Sequence, residues 1–127
     1  MSTDRVRLAI PASGAYLSLA RAATAGICAR LDFPIDRLED VGLAVDEAAS
    51  LLLLDAVPDT ELVIQWQPSG DGLAITIESV SSSGRTPRTT TFAWTVLSAL
   101  ASEVSAELDS GHVRLTLRAD RDEVPVP

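Results

Sequence analysis

Two residue types are missing from this chain of 127 residues: it contains no lysine and no asparagine. Without lysine it has no P-loop lysine, no Schiff-base lysine and no kinase lysine on the phosphates. Without asparagine it loses one of the side-chain amides that hold metal ions. Its one cysteine, Cys28, allows no internal disulfide and suggests no cysteine-based metal cluster. Lying in AGICARL among helical core residues, it reads as an inert small hydrophobe. His112 is the only histidine and stands beside Gly111 in a turn without a second histidine or cysteine, so no metal role is expected. Aromatics make up 4% of the chain, and Trp66 and Trp94 read as core or interface anchors. No apolar run approaches the roughly 18 residues of a membrane span, and the polar start MSTDRVR is no signal peptide. The reading is a cytoplasmic protein with no membrane contact.

What remains is apolar and acidic. The apolar fraction is 46% and the mean hydropathy is +0.22. A chain of this length fits one domain and buries about 68% of its unfolded surface. A single domain is expected over residues 1–127, with a core from about 6 to 118 and a frayed tail over 119–127. The formal charge is −8, from 18 acidic and 10 basic residues. Such a balance argues against nucleic acid as a direct ligand and suits a basic protein surface.

Val6, Leu8 and Ile10 alternate with Arg7 and Ala9 as a strand ended by Pro11. Ser13 caps a helix running to about Leu31, broken at Asp32-Phe33-Pro34. The next helix takes Asp36 as N-cap, with Glu39 three residues on, and runs to about Leu54. Residues 61–67 and 73–78 read as a hairpin around the turn PSGDG. From Ser79 to Thr91, eight of thirteen residues are Ser or Thr, which reads as a mobile loop. Helical spacing returns from Phe92 to Val104. A last hairpin pairs about 105–108 with 113–117 around Asp109-Ser110-Gly111. Strands joined by hairpins, with helices grouped between them, predict an α+β two-layer sandwich. Its sheet should be mixed and mostly antiparallel, with helices on one face.

Asp46 and Glu47 stand in the apolar pattern of the second helix. Taken alone they fit a solvated helix face as readily as a site. The layout, and three stretches in particular, carry a resemblance: LAIPASGAYLSLAR (8–21), DRLEDVGLAVDEAAS (36–50) and FAWTVLSALASEVSAELDSGHVRLTL (92–117). Over about 6–118 the chain resembles the Bergerat (GHKL, or HATPase-like) ATPase fold. Within that fold it is similar to the small anti-sigma factors that double as serine kinases in bacterial partner-switching modules. An all-arginine set of cations is similar to what high-GC actinobacteria produce.

The resemblance implies a nucleotide site whose second helix carries an E-x-x-x-N box, the glutamate as base toward a serine hydroxyl and the asparagine on magnesium. Glu47 matches the glutamate as the catalytic position. Leu51 falls where the asparagine belongs, one turn on and on the same face, and offers magnesium no lone pair. The family's D-x-G-x-G turn corresponds to Ser79, Ser81 and Ser83, with a neutral residue at the adenine position and side chains at both glycine positions. The glycine-rich turn opening the last helix reads Thr91-Phe92-Ala93-Trp94-Thr95, where Phe92 and Trp94 would fill phosphate space or the vacated pocket. Three degraded motifs imply no cofactor, with ATP and magnesium bound only if the pocket still works, and no other metal.

The same resemblance implies partners: a sigma factor, a competing anti-anti-sigma antagonist and a second copy in a homodimer. It assigns partner contact to Arg21 with its neighbours Tyr16 and Leu17, although a plain solvent-facing arginine fits the spacing equally. Asp46, Asp40 and Glu39 read as an exposed acidic surface. The expected function is an anti-sigma-factor-like regulator that sequesters a sigma factor. The alternatives are an active ATP-dependent serine kinase acting on the antagonist and a non-catalytic scaffold for other proteins.

Overall fold

Period-two alternation places one face of each strand in the core, and the elements form around that burial. The computed structural model describes residues 4–122. Five strands, β1 (Val6–Pro11), β2 (Glu61–Ser69), β3 (Gly72–Val80), β4 (Glu103–Asp109) and β5 (His112–Asp120), pair in the order β1-β2-β3-β5-β4. Every pairing is antiparallel, so the parallel pair of a mixed sheet is absent among the described residues. Helices α1 (Leu17–Arg30), α2 (Ile35–Leu53) and α3 (Phe92–Leu100) complete the α+β layout. Leu62, Ile64 and Trp66 of β2, Leu73, Ile75 and Ile77 of β3, and Leu115 and Leu117 of β5 are buried. Against them α2 sets Val41, Val45, Ala48, Ala49 and Leu52, also buried. The alternate strand positions, Gln65, Gln67, Thr76, Arg114 and Thr116 among them, are polar and at least partly exposed. The core therefore lies on one side of the sheet.

Several boundaries differ from expectation for local reasons. Ser13 caps a 3-10 turn, Gly14–Tyr16, its Oγ accepting from the Ala15 N–H at 3.3 Å, and α1 follows that turn. Asp32 ends α1 in the left-handed region at φ 61°. Pro34 then precedes α2 at φ −56°, so Pro34, not Asp36, is the N-cap. Asp36 sits in the first turn, where the helix dipole still favours a carboxylate. The third helix stops at Leu100 instead of Val104, because Glu103 and Val104 pair with Arg118 and Leu117 of β5. Sheet pairing outweighs helical spacing there. β5 also runs past 118: Ala119 is buried and Asp120 pairs with Gly72. The rest of the expected tail, 123–127, lies outside the described residues. A side chain at Gly72 would collide with the Ala119 carbonyl oxygen, so this strand start demands glycine. Between β4 and β5 the two-residue turn Ser110-Gly111 has φ of 51° and 81°, the left-handed pair that tight hairpins use.

One buried polar relay ties α1 to the sheet. Trp66 is fully buried, and its indole N–H donates to Thr24 Oγ1 at 3.1 Å. Thr24, also buried, passes its own hydroxyl proton to the Ala20 carbonyl at 2.7 Å. Cys28 lies on the same stripe one turn on, fully buried. Burial pushes its thiol up to about 11, against a smaller opposing pull from Arg37, so it stays protonated and unreactive at neutral pH. Thr24→Val keeps the shape but orphans the Trp66 N–H. We expect a loss of about 1–3 kcal/mol in urea unfolding, and a smaller loss when the same change is made in a Trp66→Phe background.

Candidate functional site

The end of α2, the end of β3 and the loop that follows enclose a cavity of about 280 Å³. Four positions singled out from the sequence, Leu51, Ser79, Ser81 and Ser83, line it together. Leu51 stands on the last turn of α2 and packs on the core. Ser79 is buried at the inward-facing end of β3. Leu52, Leu54, Pro87 and Val113 add apolar wall, while Asp55, Arg85 and Arg88 are its charged members. Helical spacing explains why the walls converge. Leu51 and Asp55 are four residues apart, so they fall on one side of the chain as it leaves α2.

Asp55 is the residue that sequence reasoning missed. Its Oδ2 accepts from the Ser81 hydroxyl at 2.6 Å and from the Ser83 hydroxyl at 2.7 Å. Its Oδ1 accepts from the Ser83 N–H at 3.1 Å, and its backbone carbonyl accepts from the Ser82 N–H at 2.7 Å. The same hydroxyls serve as acceptors in turn, Ser81 Oγ for the Gly84 N–H and Ser83 Oγ for the Arg85 N–H. Around this clasp Ala56 bridges Ser81, and the Ser81 N–H donates to the Gly111 carbonyl at 2.8 Å. The first half of the Ser/Thr loop is thus anchored where a mobile segment was expected. The hydroxyl donors of Ser81 and then Ser83, the Ser83 N–H and the charge of Arg85 hold the Asp55 carboxyl below its usual 3.8, against a smaller opposing effect of burial.

Glu47 is not part of this wall. It is half-buried, lies outside the cavity lining and forms no hydrogen bond or ion pair among the described residues. Phe92 and Trp94 do not fill the cavity either. Thr91 caps α3 by accepting from the Trp94 N–H at 3.2 Å. That start leaves Phe92 83% exposed, while Trp94 packs on the core. Glu78, on the opposite face of β3 from Ser79, is paired with Arg114 at 3.1 Å. As a metal site the donor set fails a simple test. Leu51 presents hydrocarbon where the family places an amide oxygen, and no group of three His, Cys, Asp or Glu that could hold a metal occurs among the described residues.

The partner positions lie elsewhere, on the outer side of α1 and α2. Arg21 is exposed, as expected, and ion-paired with Asp46, Nε to Oδ2 at 3.6 Å, while Asp46 is only partly exposed. Gly42 lies under the aliphatic stem of Arg21, where an added Cβ would make ordinary contact with Cγ. Arg21, Leu38, Glu39, Leu43 and Asp46 line a groove of about 380 Å³. Leu43 and Leu19 expose about half of their surface, and Tyr16 is 41% exposed. Leu17, by contrast, packs against the core and offers a partner little. Asp40 pairs with Arg37 at 3.4 Å.

A carboxylate held below its unfolded value stabilises the fold above that value and loses its contribution as pH falls through the folded one. Asp55→Asn should therefore cost stability at neutral pH. That difference from the parent chain should shrink to nothing as pH drops from about 5 to about 2, as read by thermal unfolding across pH. Amide exchange at 81–85 should speed up in the variant at neutral pH.

No protein-family model matches the chain. It is 30% identical over 99 residues to the anti-sigma-F factor RsbW of Mycobacterium tuberculosis, a match covering 78% of this chain and 59% of that protein. It is 29% identical over 83 residues to the serine-protein kinase RsbW of Listeria innocua, covering 63% of this chain and 53% of that one. The chain thus spans between half and two thirds of the length of these relatives. Among solved structures, the RsbU and RsbW domains of Rv1364c from Mycobacterium tuberculosis superpose with a TM-score of 0.74 at 17% identity, over 93% of this chain and 32% of that one. This likeness bears on the fold. The sequence matches make the chain similar to proteins named as RsbW, an anti-sigma-F factor in one organism and a serine-protein kinase in the other.

Proposed function

We propose that this chain is an anti-sigma-factor-type regulator that binds and sequesters a sigma factor, is relieved by a competing antagonist protein, and does so without bound ATP. The observation that carries the reading is the cavity wall. Leu51, Ser79, Ser81 and Ser83 line one space: Leu51 offers magnesium no oxygen, and the serines put side chains where a close backbone approach to phosphate needs glycine. Kinase chemistry on a serine would need that metal. Partner binding needs only a surface, and the groove beside Arg21 and Asp46 with exposed Leu43 and Leu19 offers one of mixed apolar and charged character. The relatives named anti-sigma-F factor align over most of this chain, which supports a sigma factor as partner. The acidic balance of −8 suits a basic partner surface.

Among the described residues no helix is long and apolar enough to cross a membrane, and we place the regulator in the cytoplasm. A homodimer is the expected assembly. β1 is an edge strand and carries exposed Val6, so it leaves one row of backbone groups free for a second copy.

The test is direct. The purified chain, mixed with the sigma factors of its own cell, should co-elute with one of them, and Arg21→Glu should weaken that complex about tenfold by breaking the pair with Asp46 and setting a second carboxylate beside it in the groove. Recovery of no sigma factor refutes the main reading, and an unchanged affinity removes Arg21 from the interface. Titration with Mg-ATP should give no sub-millimolar binding. Tight binding abolished by EDTA would restore the kinase alternative.

A further inference from the structure

The cavity at the end of α2 has a composition of its own. Its walls are mostly hydrocarbon, from Leu51, Leu52, Leu54, Pro87 and Val113. Its rim carries Arg85 and Arg88, and neither guanidinium forms a hydrogen bond or an ion pair among the described residues. Asp55 is the only acid on the lining. Its oxygens are already occupied by Ser81 and Ser83, and Arg85 acts on it through charge alone. Two arginines against one aspartate leave a single positive charge at the mouth. In a chain of net charge −8, an apolar pocket with a positive rim is a local exception.

The geometry points to a binding site for an amphiphilic monoanion, a small molecule with an apolar body and one carboxylate or sulfonate head. Leu51 and its neighbours would bury the body, the affinity rising with each methylene removed from water. Arg85 and Arg88 would hold the head, their forked N–H groups matching a planar carboxylate. A polyanion fits this rim poorly, since one net positive charge cannot balance several phosphate charges and Asp55 on the lining would repel them. The volume of about 280 Å³ lies at the small end of ligand pockets, which suits a medium-chain fatty acid or an aryl acid. The clasp of Asp55 fixes the loop as far as Arg85, and the Arg88 carbonyl accepts from the Thr91 hydroxyl at the start of α3. This site is independent of the sigma-factor reading, because binding is measured on the chain alone.

Octanoate, below its micelle concentration, is the probe, titrated into the purified chain by calorimetry with octanol as the uncharged control. Saturable one-to-one binding of octanoate is expected, with octanol weaker by about tenfold, the order of effect that loss of one charge contact produces. Arg85→Ala/Arg88→Ala, both on the exposed loop, should weaken octanoate to the octanol level while the chain keeps its fold by circular dichroism. Leu51→Asp should abolish binding of both, with retention of fold checked by circular dichroism. Absence of saturable binding, equal affinity for octanol, or indifference to loss of both arginines overturns the proposal. Displacement of octanoate by Mg-ATP, reversed by EDTA, would overturn it too, since the cavity would then be a working nucleotide site.

Discussion

The burial of one face of α2 against the sheet is the constraint on which the other features depend. Ala44, Ala48 and Ala49 are essentially without solvent contact, and their small side chains let the helix backbone approach the strands closely. Val41, Val45 and Leu52 then fill the spaces between Leu62, Ile64, Ile75, Ile77 and Leu115. Such a seam tolerates little rotation, because turning the helix would bring Leu43, Asp46 or Glu47 into a dry core at high cost. Fixing the rotation fixes two further positions. The side of α2 that meets solvent beside α1 shows Gly42, Leu43 and Asp46 to Arg21. The C-terminal end presents Leu51 and then Asp55 to the loop after β3. Thr24 and Trp66 hold α1 at the matching height by a hydrogen bond that crosses the layer boundary.

What the sequence disclosed divides along the range of the interactions. Leu51, Ser79, Ser81 and Ser83 were grouped by the resemblance to the family's nucleotide motifs, and the structure gathers them around one cavity. The sandwich, the antiparallel hairpins and the burial of Cys28 and Trp66 followed from period and composition. Asp55 was not legible. Its partners are 26 and 28 residues away, and a single aspartate before a turn gives no local signal that distant serines will close on it. The end of α3 was misread for a similar reason. Residues 101–104 carry helical spacing, but pairing with β5 decides their conformation, and pairing is a long-range matter. Phe92 was expected in phosphate space or the vacated pocket because it falls at the family's glycine-rich turn, whereas the cap at Thr91 settles which way the first turn faces.

The serine-rich stretch illustrates how composition misleads about motion. Eight Ser and Thr in thirteen residues suggest a solvated, mobile connection. Yet a hydroxyl is donor and acceptor at once, and one carboxylate with two oxygens can organise several of them. Ser81 and Ser83 donate hydrogen bonds to Asp55 and accept them from the Gly84 and Arg85 N–H groups, so short polar side chains do here what a regular backbone ladder does elsewhere. The glycines of a D-x-G-x-G turn would leave that space open. Serines close it, and the charged residues after them are carried to the rim.

The two surfaces on α2 also explain how one function can be lost while another is kept. From Gly42 to Leu51 the helix advances about 13 Å at 1.5 Å per residue, and Leu51 does not line the groove of Arg21 and Asp46. A change at the metal position therefore alters the cavity without touching the groove, provided the buried alanine seam keeps its shape. Substituting a leucine for a polar ligand on the cavity side adds apolar contact with the core and removes a desolvation cost, so the fold loses nothing by it. Selection for partner binding would act on the groove alone. A change confined to the cavity wall leaves Arg21 over Gly42 where it stands.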